Sequence, residues 1–187
     1  MGVLDQFALI LLGLALGAQV FLRPFWVRYG NLSWAVASVS VFSLALYFSW
    51  IQHGTWAASE YTEVFLESGY FFRYIGLKFF APPLIAFFAA IFTSWAAGYF
   101  NRRFGERFFE PEEISLMRLG IFLTGYPGFF LYLALVFLGG TLLSSAYLAF
   151  SKERTPFYYL WLPLAIFAIL MKIYVLPQSF LALFIIS

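Results

Sequence analysis

Residues 116–150 read LMRLGIFLTGYPGFFLYLALVFLGGTLLSSAYLAF, a run of 35 residues with a single charge, Arg118. As one straight helix this run measures about 50 Å, too long for one crossing of a hydrocarbon core of roughly 30 Å. Something must break it. The sequence Gly125-Tyr126-Pro127-Gly128 is the place, because proline cannot donate to a helix and glycine accepts turn conformations. The reading is a short segment (114–125), a turn, and a full span (128–150). The competing reading is one kinked or steeply tilted helix.

The chain on either side has the same character. Residues 3–22 and 31–51 each hold about twenty predominantly apolar positions, the length that crosses a bilayer. A third span, 77–100, carries Pro82-Pro83 near its start and is expected to begin cleanly after that pair. A last span, 157–175, is followed by a short re-entrant or interfacial tail containing Pro177 and Gln178. Composition agrees with lipid as the solvent. Apolar residues make up 63% of the chain and charged residues 11%, against about 45–50% and about 25% in soluble domains. The expected fold is all-α: a polytopic transmembrane helix bundle of about six membrane segments in a single domain, 1–187, with one interfacial amphipathic helix and no internal repeat.

Lys and Arg in short loops set the orientation. Loop 23–30 carries Arg23 and Arg28, loop 101–113 carries Arg102, Arg103 and Arg107, and loop 151–156 carries Lys152 and Arg154. Loop 52–76 sets Arg73 alone against Glu60, Glu63 and Glu67. Placing the basic loops inside puts the N-terminus outside, and it requires an even number of crossings between 114 and 150. The expected location is a bacterial inner membrane or an organellar membrane, with Arg102, Arg103 and Arg107 as a cytoplasmic basic anchor. No basic n-region precedes the first span, so no signal peptide is expected.

The inventory of reactive side chains is short. There is no Cys, His53 is the only His and Asp5 the only Asp. Thiolate and multi-His metal sites, bis-His haem ligation and Asp-rich transferase sites therefore lack their parts. Glu112-Glu113 with Arg118 superficially resembles the Glu-Glu-x-x-x-Arg element of intramembrane prenyl-protein proteases, but the spacer is one residue too long and the His residues are missing. No metal or other cofactor is expected, and a bound lipid or pigment stays open. A net charge of +2 gives no reason to expect nucleic acid.

Two extramembrane or intramembrane features stand out. Over 59–75, Tyr61, Val64, Phe65, Phe72 and Ile75 fall on one helical face and Glu60, Glu63 and Glu67 on another, with Ser59 placed to cap. The acidic ridge is either a solvated face or a contact for a basic partner. Lys172 is the most intramembrane-looking charge and Gln178 a second intramembrane polar candidate, and intramembrane charges are functional candidates unless they snorkel to an interface.

The order of elements from Glu110 onward is a polar junction, a short helix ending in Gly, a longer helix with small residues, a basic loop, and Thr155-Pro156-Phe157 opening the last span. This order resembles the C-terminal half of type IV prepilin peptidases, membrane aspartyl proteases that trim pilin leaders. The resemblance implies catalytic Asp residues after the first span and before the fourth. The corresponding positions here are Phe21-Leu22-Arg23 and Glu110-Pro111-Glu112, and both Asp are absent. An aspartyl dyad needs two carboxylates sharing a proton, so no proteolysis is expected. The expected function is that of a non-catalytic integral membrane subunit or assembly factor of a larger complex, with lipids and other membrane subunits as partners. Small residues in the spans favour it: Gly13, Gly17 and Ala18, then Gly139, Gly140, Ser144, Ser145 and Ala146. The alternatives are a small transporter or channel, and a catalytically degenerate prepilin-peptidase-like protein that binds pilin-type helices.

Overall fold

A computed structural model describes residues 2–106, 108–150 and 157–176, the side chains of 148–150 excepted. Regular structure among them is helical only. The elements are α1 (Val3–Phe21), α2 (Arg23–Ala57), α3 (Glu60–Glu67), α4 (Tyr70–Ile75), a π-helical segment (Gly76–Phe80), α5 (Ala81–Arg103), α6 (Pro111–Thr124), α7 (Gly128–Phe150) and α8 (Trp161–Tyr174). Four stretches are long and apolar enough to cross a membrane: α1, α2, the run Tyr70–Arg103, and α7. Their outward residues are apolar too, as with Leu14, Phe88, Trp95 and Phe137, which is the pattern of helices solvated by lipid rather than by water.

Three expectations need correction. Residues 23–30 are not a loop. Leu22 alone turns the chain (φ −133°, ψ 52°), and α2 starts at once with Pro24 in its first turn, where a missing amide donor costs nothing. At 35 residues α2 is roughly 50 Å long; Arg23, Arg28 and Asn31 occupy one end, and Gln52 and His53 the other. The amphipathic helix is not continuous over 59–75. It breaks at Ser68-Gly69, with Gly69 at φ 72°, and Ser59 makes no side-chain cap. The hydroxyl of Thr62 donates instead to the Trp56 carbonyl at 2.8 Å. The third span does not begin after Pro82-Pro83. The two prolines leave the carbonyls of Lys78 and Phe79 without α-helical donors, and the helix widens just before them, with the Ala81 N–H reaching Gly76 O.

Long-range pairs set the directions of the helices. Gln19 meets Tyr158, and Arg23 meets Glu110, so the end of α1, the starts of α2 and α6 and the approach to α8 share one end of the bundle. Arg102 and Arg103 close α5 at this basic end. At the far end Lys172 of α8 pairs with Asp5 of α1 at 2.5 Å, and a Cβ built on Gly128 would stand 3.3 Å from Cδ of Lys172. An aromatic cluster at the same end ties α3 and α4 to α2: Trp56 lies 5.8 Å from Phe65, 5.6 Å from Phe71 and 5.0 Å from Tyr74 between ring centroids.

The centre is α6. This short helix buries Leu116, Met117, Leu119, Ile121, Phe122 and Leu123 and packs against α1, α2, α5, α7 and α8. Between helices in lipid the hydrophobic effect adds little, so close packing carries the association. Two glycines permit the closest approaches. A Cβ on Gly30 would fall 2.8 Å from Cβ of Ser115, and one on Gly120 only 2.5 Å from the hydroxyl of Tyr132. The small residues singled out from sequence behave otherwise. A Cβ on Gly13 or Gly17 meets nothing within 4 Å, and on Gly139 or Gly140 it makes ordinary contact at 3.6 Å.

Candidate functional site

A polar cluster forms where α6 begins. Glu110 precedes Pro111 and caps the helix reciprocally: its carboxylate accepts the Glu113 N–H, and Glu113 Oε2 accepts the Glu110 N–H at 2.8 Å. Proline at the first turn and three acidic residues near the positive helix end suit such a start. The loop leading into it is held by Asn101, whose Oδ1 accepts the N–H groups of Phe108 and Phe109 at 3.0 Å each while its Nδ2 donates to the Phe109 carbonyl at 2.7 Å.

Arg23 reaches this start from the other side. Its Nη2 donates to Glu110 Oε2 at 2.7 Å and to Glu112 Oε1 at 3.3 Å, and its guanidinium lies 4.9 Å from the centroid of the Tyr158 ring. The Glu112 side chain is 9% exposed and that of Arg23 53%, so the cluster grades from the interior to the surface. Tyr158 in turn donates to the Gln19 carbonyl at 3.3 Å and accepts Gln19 Nε2 on its own carbonyl. Gln19 is fully buried, and its Oε1 has no hydrogen-bond partner among the described residues. One guanidinium thus clamps two carboxylates and joins α1–α2, α6 and α8. This arrangement holds helices together.

The residues singled out from sequence lie apart from this cluster. Glu60, Glu63 and Glu67 are exposed on α3, and neither they nor Arg73 enter an ion pair among the described residues. Of the expected apolar face beside them, Phe65 packs while Tyr61, Val64 and Phe72 point outward. Lys172 is the cation of the Asp5 pair, an arrangement that needs no snorkelling. Arg102 and Arg103 are exposed. Arg107 and Gln178, like the 177–187 tail and Thr155-Pro156, lie outside the described residues. Arg118 does not join Glu112 or Glu113; its Nη1 donates to Asn31 Oδ1 at 3.1 Å.

The sequence reading missed the clamp because its partners are 87 and 89 residues apart. The signal available was a polar Gln19 late in an apolar span and a Glu-Pro-Glu-Glu helix start. An apolar cavity of about 690 Å³ also opens between α6, α7 and the approach to α8, lined by Phe108, Met117, Phe137, Phe157 and Trp161 among others. No family model matches the chain, and no curated protein or solved structure is significantly similar to it.

Proposed function

We propose that the chain is a non-catalytic integral membrane subunit or assembly factor of a larger membrane complex. The observation that carries this reading is the Arg23 clamp: the carboxylates that an enzymatic reading would draw on are engaged in tying helices together. Two surfaces support a partner. Gly13 and Gly17 present a small-residue face of α1 with open space before it, and small faces let a second helix approach closely. The acidic ridge of α3 is exposed beside outward-facing Tyr61 and Val64.

Replacing Glu60, Glu63 and Glu67 together by Gln is expected to leave expression intact and to weaken recovery of a co-purified partner complex. The loss should be larger at low salt than at high salt, where Debye screening has already reduced the attraction. Unchanged recovery in mild detergent at low salt returns the ridge to a plain solvated face. A wild-type protein that purifies only as a monomer or homo-oligomer favours a small transporter instead.

The proposed topology has six membrane segments, with α6 and α8 as short crossings and the N-terminus outside. What supports it is the alternation of ends set by the Gln19–Tyr158, Arg23–Glu110 and Asp5–Lys172 pairs. Because the chain has no Cys, Glu63→Cys and Glu153→Cys can be labelled singly by impermeant reagents. Labelling from opposite sides is expected, and labelling from one side overturns the crossing of α6 and α7.

A second reading, a degenerate prepilin-peptidase-like protein that binds pilin-type helices, is favoured by one observation. The two segments that the resemblance compares with the catalytic Asp positions meet, as the Arg23 pair with Glu110 and Glu112. Cleavage of a pilin-type leader by the purified protein, lost on replacing Glu112, would overturn the non-catalytic conclusion common to both readings.

A further inference from the structure

Arg118 is the one charge in the apolar run that opens on α6, and it is met by no carboxylate among the described residues. Its Nη1 is bound to the Asn31 side chain at 3.1 Å, and its guanidinium lies 5.4 Å from the Trp34 ring centroid. Neither neighbour carries a negative charge. Nε of Arg118 and Nε1 of Trp34 are buried without an acceptor among the described residues. The described residues therefore supply fewer acceptor oxygens around Arg118 and Trp34 than these side chains have donors. Uncompensated charge at membrane depth is costly, and such residues pair with something.

The surroundings define what can reach it. Below Arg118 the space is closed by rings: Trp34 stacks on Phe87 at 5.0 Å, and Phe87 meets Phe122 at 6.1 Å and Phe42 at 6.0 Å. Above it, Asn31 is exposed, toward the end of the bundle that carries Arg28, Arg102 and Arg103, all exposed. The approach is thus from the basic rim, over an aromatic floor and between membrane helices. Guanidinium in such a place matches phosphate, and basic pockets between membrane helices hold anionic head groups.

We propose that Arg118, oriented by Asn31 and seated on Trp34, is a binding site for the phosphate of an anionic phospholipid entering from the basic end of the bundle. The Asn31 side chain holds Nη1 of the guanidinium, and the lipid phosphate takes hydrogen bonds from the Nη groups at the outer end of the side chain.

Native mass spectrometry of the full chain in detergent tests this, with phosphatidylglycerol, phosphatidylcholine and inorganic phosphate as separate probes. Phosphatidylglycerol is expected to bind at least about tenfold more tightly than phosphatidylcholine, the scale of one charge-assisted contact. Arg118→Gln should remove that preference, and Arg103→Gln should retain it. Asn31→Asp places a carboxylate against the guanidinium, so it should raise thermal stability without lipid and abolish the preference while the fold is kept. Equal binding of the two lipids by wild type overturns the proposal, as expected if a partner's carboxylate meets Arg118. An undiminished preference in Asn31→Asp also overturns it. Inorganic phosphate that binds as tightly as phosphatidylglycerol and displaces it overturns the lipid as the source.

Discussion

Gly120→Ala is expected to destabilise the detergent-solubilised protein by about 1–3 kcal/mol, the cost of forcing a methyl group into a filled core. The added Cβ would stand 2.5 Å from the hydroxyl and 2.7 Å from Cζ of Tyr132. Neither side can give way easily. Tyr132 is fully buried on α7, and Gly120 sits mid-way along a helix buried among five others. Shrinking the opposing side chain relieves the contact, so Gly120→Ala with Tyr132→Leu should recover part of the loss. The measurement is thermal unfolding followed by tryptophan fluorescence. A Gly120→Ala protein as stable as wild type would mean that α6 and α7 do not pack face to face at this point.

The second large effect is expected at the far end, where Lys172 and Asp5 pair 2.5 Å apart with side chains only 12% and 24% exposed. Lys172→Met leaves the Asp5 carboxylate without its cation. Breaking a fully buried pair costs about 3–5 kcal/mol; the partial exposure here brings the expectation to about 2 kcal/mol. Replacing both partners, Lys172→Met with Asp5→Asn, should return most of that stability, because an apolar or neutral pair avoids the desolvation of two charges. If the double variant is no more stable than Lys172→Met alone, the loss comes from the packing of the lysine stem across Gly128 and not from the charge.

Both effects depend on contacts whose partners are far apart in the chain, and this separates what was legible in sequence from what was not. The helical class, the turn between α6 and α7 and the apolar length of α1 and α7 are local properties. They follow from how many apolar residues run without a charge and from a Gly-Tyr-Pro-Gly sequence that cannot continue a helix. The break at Gly69 was equally local, yet a regular apolar and acidic pattern across 59–75 concealed it. A hydrophobic period says nothing about where one glycine adopts a positive φ.

Whether Arg23 lies in a loop or in a helix could not be decided locally, since Arg-Pro suits either. The helix starts there with Pro24 in its first turn, and the Arg23 side chain meets Glu110 and Glu112 across the bundle, a pairing that only the arrival of α6 creates. The same holds for the small residues. Gly13-x-x-x-Gly17 has the more familiar spacing, but the backbones close at Gly30 and Gly120. Close approach depends on which face a neighbouring helix presents, and the sequence of one helix does not contain that. The sequence by itself determined that this chain is built from apolar helices of membrane-spanning length, because length, hydropathy and helix-breaking residues act within a single segment. Only the tertiary structure decided that α6 lies at the centre, that Lys172 is paired with Asp5 and that Arg118 meets no carboxylate among the described residues, because ion pairs form between side chains that meet only after the helices have packed.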